Sequence, residues 1–238
     1  MTRRRWIADE FTSDSAALTG AHAAHLARTL RARVGQQFDV ACGERVYRAT
    51  VSSVVEDRVE FALGEEVSAA IDVVPITLLL AIFKFDRMEW AIEKCTELNV
   101  STIVPVVARR TEKHLARVAE KRVERWRRIA HEAAQQSRRT APPEIAEPVK
   151  LSEALQLEAE RKIVLAENER GATLSEVLRS CDDVRSVALA VGPEGGWADD
   201  ELEAFAAAGW IAASLGDTIL RAETAAIAAL AIARAELC

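Results

Sequence analysis

Three glycines and a proline interrupt the chain at Val191-Gly192-Pro193-Glu194-Gly195-Gly196-Trp197, between an apolar run and an acidic one. Glycine permits positive φ and lets a ligand lie directly on the backbone, whose free N–H groups then act as donors. Pro193 stiffens the same loop. A second bare loop follows at Leu215-Gly216-Asp217-Thr218-Ile219-Leu220-Arg221. Neither matches a phosphate loop: there is no GxxxxGK[ST], and no GxGxxG after a strand. Glu194 also suits a cationic or hydroxyl-bearing ligand better than a triphosphate. Either loop alone reads as a tight turn. Together they suggest a backbone-lined site for a small molecule.

Other chemistry-bearing residues are scattered. Cys42, Cys95, Cys181 and Cys238 have no CxxC spacing, which argues against zinc and a disulfide framework and fits a reducing cytoplasm. His22 and His25 lie close in sequence but lack an acidic or cysteine partner pattern, so no metal site is expected. The apolar run from Val73 to Phe83 is too short to span a bilayer, and the basic N-terminus lacks the apolar segment of a secretory signal. No membrane association is expected.

The elements that must hold the two loops are legible as patterns. "QQFDVACGERVYRATVSSVVEDRVEFAL" reads as three short strands turning at Cys42-Gly43-Glu44 and Glu56-Asp57. The preceding "GAHAAHLARTLRARVG" reads as a short helix with Leu26 and Leu30 on one face, closed off by Gly35. A small barrel with one helix is expected over residues 1–70, then a linker at "LGEEVSAAIDVVP". From Pro75 strands and helices alternate. "ITLLLAIF" has no polar face, as in a parallel sheet covered on both sides. "DRMEWAIEKCTELN" places Met88, Ala91, Ile92, Cys95 and Leu98 on one stripe. "VSTIVPVVA", "KIVLAEN", "SVALAVG" and "IAASLG" read as further strands. "HLARVAEKRVERWRRIAHEAAQQS", "ADDELEAFAAAG" and "AETAAIAALAIARAEL" read as helices. This alternation predicts an α/β domain over 74–238, with the two bare loops at strand ends where such sheets bind ligands.

The net charge of −6 over 238 residues conceals a division. Residues 1–48 carry eight Lys/Arg against five Asp/Glu, and residues 109–139 carry eleven against four. Basic zones on an acidic body fit a localised anionic partner; for 109–139 a solvated helix face is an equal reading.

"VGPEGGWADDELE" followed by "SLGDTILRAETAAIAAL" resembles the RsmE family of SPOUT-superfamily methyltransferases. "AAHLARTLRARVGQQFDV", "KFDRMEWAIEKCTELNVSTIVP" and "RWRRIAHEAAQQSRR" are similar to further family segments, in the same order along nearly the whole chain. The resemblance implies a PUA-like β-barrel followed by a SPOUT α/β domain with a C-terminal trefoil knot at about 162–238. It implies a homodimer packed through the knot domain, and S-adenosylmethionine bound in a bent shape by the knot loops. The reaction implied is methylation of the 3-nitrogen of a uridine in small-subunit (16S) ribosomal RNA. Another rRNA or tRNA target remains an alternative, as does a non-catalytic RNA-binding protein of ribosome assembly.

Carried onto this sequence, the cofactor would rest on Leu165, Ala166 and Glu167, on Val191, Gly192, Pro193, Glu194, Gly195 and Gly196, and on Leu215, Gly216, Ile219, Leu220 and Ala225. Arg221 is the candidate to orient the uracil or stabilise its anion. Glu223 would pair with Arg221 or hold the loop, and Thr224 would cap the last helix; plain helix-start chemistry is the competing reading for both. Trp197 would close over the cofactor or simply pack. Candidate RNA contacts are Arg3, Arg4, Arg5, Arg28, Arg31, Arg109, Arg110, Arg138 and Arg139, while Trp6 and Trp126 read as core. The chain departs from the family pattern at Asn99, where glycine is usual, at Thr218 and Ala222 beside the second loop, and at Ser137-Arg138-Arg139, which lacks an intervening glycine.

Overall fold

The computed structural model describes residues 4–69, 73–180 and 183–237. It divides into two compact units: residues 1–72 with 131–142, and 73–130 with 143–238. The linear division expected from composition did not foresee that 131–142 groups with the N-terminal segment.

The first unit is built on one six-stranded sheet. Its elements are β1 (Trp6–Ile7), β2 (Glu10–Phe11), β3 (Ser15–Thr19), helix α1 (Gly20–Ala24) continued by a π-turn over His25–Thr29, β4 (Gln37–Cys42), β5 (Arg45–Val55) and β6 (Arg58–Ala69). The strand order is β1-β4-β5-β6-β3-β2. All neighbours are antiparallel except β1 with β4. The three expected strands are present. Two corrections apply: β6 runs on to Ala69, into the stretch read as linker, and the helix is shorter than its Leu26/Leu30 pattern implied. Leu26 is buried and Leu30 is half exposed. Trp6, Leu18, Leu26, Val40, Val51 and Phe61 form the core.

The second unit is a parallel sheet. Its elements are β7 (Ile76–Ala81), α2 (Phe85–Glu97), β8 (Thr102–Val107), α3 (Lys113–Val118), α4 (Val123–Gln136, whose last residues belong to the first unit), β9 (Glu144–Ile145), β10 (Val149–Lys150), α5 (Leu151–Ala154), β11 (Arg161–Leu165), α6 (Leu174–Arg179), β12 (Val187–Val191), α7 (Asp199–Ala207), β13 (Ile211–Ala213) and α8 (Ala222–Glu236). The order is β10-β8-β7-β12-β11-β13, with β9 beside β8. Alternate residues of each strand enter different cores. Leu78, Leu80, Ile163, Val187, Leu189 and Val191 pack with Met88, Trp126 and Leu230. Leu79, Ala81, Val164, Ala188 and Ala190 pack with Trp197, Phe205 and Trp210. A strand buried on both faces needs no polar alternation, which is why "VALAV" is wholly apolar.

The single long helix expected from His114 to Ser137 is instead two α-helices joined by a 3-10 turn at Glu120–Arg122; no Gly or Pro announces the break. Helix α6 was not anticipated, although Thr173-Leu174-Ser175-Glu176 carries its signal: Thr173 Oγ1 accepts from the Glu176 N–H, and the Glu176 carboxylate accepts from the Thr173 N–H. Asn99 sits at φ +64, the left-handed conformation a glycine would adopt. Arg234 of α8 donates to the carbonyls of Leu98 and Asn99, satisfying the C-terminus of α2. Among the described residues, no helix is long and apolar enough to cross a membrane. Burial pushes the Cys42 thiol up to about 11 and the Cys95 thiol up to about 12, so neither is poised as a nucleophile.

Candidate functional site

Strands β12, β11 and β13 are adjacent and parallel, so their C-terminal ends open side by side. The three loops that leave them are the bare loop at 192–196, the segment at 165–167 and the bare loop at 215–221. They enclose a cavity of about 240 Å³, near the lower bound for small-molecule sites. All fourteen residues expected to touch a cofactor line it: Leu165–Glu167, Val191–Gly196, Leu215, Gly216, Ile219, Leu220 and Ala225. Apolar side chains such as Leu165, Val191, Leu220 and Ala225 alternate with backbone and with both signs of charge, from Glu167, Glu194, Asp199 and Asp217 to Arg110 and Arg170. Such a lining suits an amphipathic ligand with charges of both signs.

Two glycines are dictated by this geometry. Gly196 holds φ +69 in a turn closed by its N–H donating to the Pro193 carbonyl at 2.8 Å. At Gly195 a Cβ would stand 3.3 Å from Cδ of Arg110, so the bare backbone is the bed on which that arginine lies. Nη1 of Arg110 donates to the Gly195 carbonyl. Arg110 comes from the loop after β8, and sequence reasoning had assigned it to an RNA surface rather than to the pocket.

Trp197 was expected to close over the cofactor or to pack, and the structure shows its packing and its place in the cavity wall. It lines the cavity, and it packs edge-on against Phe205 with ring centroids 4.9 Å apart. Among the described residues its buried indole N–H has no hydrogen-bond partner. Arg221 is the exposed N-cap residue of α8, and neither it nor Glu223 lines the cavity. The expected capping by Thr224 is not seen: the α8 N-terminus has no side-chain cap, and Thr224 lies exposed within the first turn. Glu223 is buried, and its charge partner is Arg87 at 3.8 Å rather than Arg221. Arg87 also donates to Glu194 at 2.9 Å, joining α2, the first bare loop and α8. The second Glu223 oxygen is buried without a hydrogen-bond partner.

The expected RNA-contacting arginines are placed as follows within each unit. Arg3 lies outside the described residues. Arg4 stacks over Trp6, 5.6 Å from the ring centroid, and reaches His25 and the Glu132 carbonyl. Arg5 donates to the Arg138 carbonyl and to Ser68; burial lowers its pKa from the usual value. Arg28 pairs with Glu56. Arg31 and Arg138 adopt left-handed φ of +52 and +62. Arg138 thus takes the glycine conformation at the place where the family pattern has a glycine. In the second unit Arg109 pairs with Asp200. Trp6 and Trp126 are core residues, 1% and 0% exposed.

His22 does have an acidic partner, which its neighbours in sequence did not disclose. Nδ1 lies 3.2 Å from Asp9, and the ring stacks on His131 at 4.0 Å with an interplanar angle of 10°. Burial first, then His22, lowers His131 to about 4, so it stays neutral at pH 7. Asp9, His22 and His131 thus bring one possible ligand atom each to within 4.8 Å of one another, a grouping that the sequence reading, which expected no metal site, did not contain.

Residues 71–234 match the model of the RNA methyltransferase domain family. The ribosomal RNA small subunit methyltransferase E of Synechocystis sp. is 34% identical over 219 residues, covering 90% of this chain and 71% of that protein. A methyltransferase from Legionella pneumophila, solved with bound S-adenosylmethionine, superimposes with a TM-score of 0.87 at 27% identity over 99% of this chain and 98% of that one. A ribosomal RNA small subunit methyltransferase E from Neisseria gonorrhoeae, also bound to S-adenosylmethionine, superimposes with a TM-score of 0.81 at 30% identity, over 96% and 95% of the two chains. With two bare loops among three neighbouring strand ends and similarity over most of its length, the chain belongs to the ribosomal RNA small subunit methyltransferase E family of RNA methyltransferases.

Proposed function

We propose that this protein transfers a methyl group from S-adenosylmethionine to the 3-nitrogen of a uridine in 16S ribosomal RNA. The observation that carries the reading is the cavity between the ends of β11, β12 and β13, lined by backbone and by charges of both signs. Two relatives that superimpose over nearly the whole chain are bound to S-adenosylmethionine, and curated relatives carry the small-subunit rRNA name. The residues present fit the cofactor. Leu165, Val191, Leu220 and Ala225 offer an apolar bed for an adenine, and the backbone of the two bare loops lines the same cavity beside them. When bound, S-adenosylmethionine supplies a methyl group already activated by a sulfonium leaving group. What this chain supplies is positioning and exclusion of water. The Arg87 bridge to Glu194 and Glu223 holds the first bare loop against α8.

The same reading includes the finer architecture. The six-stranded sheet with its single helix is taken as a PUA-like RNA-binding barrel, and residues from about 162 to 238 as a trefoil knot. The sheet order supports the latter: β12 inserts between β7 and β11, and β13 returns to the far side of β11. It also includes a homodimer packed through the knot domain, and a cytoplasmic protein acting on rRNA. The alanines of α8 are no argument for the dimer, since Ala226, Ala229 and Ala233 already pack in the unit's own core.

The test is calorimetric titration with S-adenosylmethionine, followed by incubation with small subunits from cells lacking the enzyme and nucleoside mass spectrometry of the digested RNA. Saturable binding and formation of 3-methyluridine are expected. Binding without RNA methylation would overturn the substrate, and no binding with or without subunits would overturn the enzyme.

A further inference from the structure

The 3-nitrogen of uracil carries a proton and becomes a good nucleophile only as that proton leaves. The resulting charge spreads over N3 and the two flanking carbonyl oxygens, so a cation fixed beside them favours the reaction. Sequence resemblance pointed to Arg221 for this task, but Arg221 is an exposed helix cap outside the cavity lining. Its neighbours are differently placed. Arg87 is held by Glu194 and Glu223, and Arg109 by Asp200. Arg170 lines the cavity but is folded onto its own loop, donating to the carbonyls of Glu167 and Glu169 at 2.9 and 3.2 Å.

Arg110 has no carboxylate partner among the described residues. Its one recorded hydrogen bond, Nη1 to the Gly195 carbonyl, leaves most of the five guanidinium N–H groups available. The turn that carries it is held on both sides. The Ala108 N–H donates to Thr111 Oγ1 at 3.1 Å, and Thr111 Oγ1 donates to the Ile82 carbonyl at 3.0 Å. The Arg109 N–H donates to the buried Glu201 carboxylate at 2.8 Å. Thr111 and Glu201 are both buried, so the backbone under Arg110 is set before any substrate arrives. The side chain lies flat along Gly195, with Nη1 3.9 Å from where a Gly196 Cβ would be. Arg110 is itself exposed, but unlike Arg221 it lines the cavity, and a guanidinium tethered to the Gly195 carbonyl on a held backbone is placed to stabilise an anion there.

We propose that Arg110 is a catalytic residue: its guanidinium donates to a carbonyl oxygen of the target uracil and stabilises the N3 anion. The proposal rests on the methyl-transfer reading above. In the step it serves, the N3–H bond breaks and the proton leaves to solvent. The N3 electron pair forms the bond to the methyl carbon as the carbon–sulfur bond breaks, and that bond's pair stays on sulfur, leaving a neutral thioether. Arg110 remains protonated throughout.

The experiment compares wild type with Arg110→Gln and Arg110→Lys, using S-adenosylmethionine calorimetry and methyl transfer to small subunits from cells lacking the enzyme, from pH 6 to pH 10. Arg110→Gln is expected to bind S-adenosylmethionine within about threefold of wild type, which also reports an intact fold. Its turnover at pH 7 should fall about 100-fold or more, the scale for losing one pre-organised donor to a developing anion. The deficit should narrow as pH rises, because hydroxide then does what the cation did. Arg110→Lys should recover part of the loss, since it keeps the charge without the fork. The proposal fails if Arg110→Gln loses cofactor binding in proportion to turnover, which makes Arg110 a brace for the loop. It also fails if the deficit is the same at every pH, or if turnover is unchanged. A wild-type protein that binds S-adenosylmethionine but methylates no uridine would instead overturn the functional reading beneath it.

Discussion

Arg110 of the second unit meets a different fate from Arg4, Arg5 and Arg28 of the first. In the first unit Arg5 is spent on the Arg138 carbonyl and Ser68, Arg4 on Trp6, His25 and Glu132, and Arg28 on Glu56. In the second unit the backbone of Arg110 is held, and among the described residues its guanidinium hydrogen-bonds the Gly195 carbonyl and no carboxylate. Formal charge along a sequence counts both alike. A guanidinium already desolvated and bonded has few donors left for a ligand, whereas one held on a glycine bed keeps its fork. A basic stretch is therefore weak evidence for a binding surface until the partners of each arginine are known.

Substitutions can break or sharpen that contrast. Gly195→Trp should have the largest effect: an indole cannot share the space where Arg110 Cδ would lie 3.3 Å from even a Cβ. S-adenosylmethionine affinity should fall more than about 100-fold, equivalent to about 2.7 kcal/mol, as measured by calorimetry; unchanged affinity would mean the cofactor does not use this loop. Arg5→Gln should cost about 1.5–3 kcal/mol in urea unfolding, the range for hydrogen bonds to charged groups, while leaving cofactor affinity alone. Lost cofactor affinity with unchanged stability would reverse the comparison.

Two further variants test the left-handed positions, one in each unit. Gly196→Ala forces a side chain into φ +69 against Glu167, so destabilisation of about 1–2 kcal/mol is expected. Arg138→Gly removes a side chain from φ +62 and should stabilise by about 0.5–1 kcal/mol once the backbone entropy of glycine is counted. Equal signs for the two would show that local φ does not govern these sites. Finally, His131 is held neutral down to about pH 4, against an ordinary 6.5. Between those values the unfolded chain binds the extra proton and the folded one does not, so stability falls as pH drops from about 6.5 toward 4. A urea midpoint that declines over this window in wild type and less steeply in His131→Gln is expected; identical slopes would remove the His22–His131 stack as the cause.

Much of the second unit was readable because its signals are local. The continuous apolar strands, the Met88-to-Leu98 stripe and the two bare loops each lie within one short stretch. Asn99 could be recognised as a tolerable left-handed residue from its own chemistry. The breaks in the expected 114–137 and 20–35 helices were not readable, since no Gly or Pro marks the first and the second dissolves into a π-turn. Glu223 was read as pairing with nearby Arg221 or holding the loop; its charge partner is Arg87, 136 positions away in the chain. The same distance effect hid Asp9 from His22 and hid the place of exposed Arg110 in the cavity lining.

By itself the sequence determined the class of each unit, the existence of two glycine-rich strand ends and the family that they mark, because backbone permissiveness and apolar periodicity are properties of neighbouring residues. Only the tertiary structure decided which charges survive to act. A charge is neutralised, stacked or left available by groups brought from distant elements, and the adjacency of β12, β11 and β13 that makes one cavity of three loops is a matter of sheet order rather than chain order.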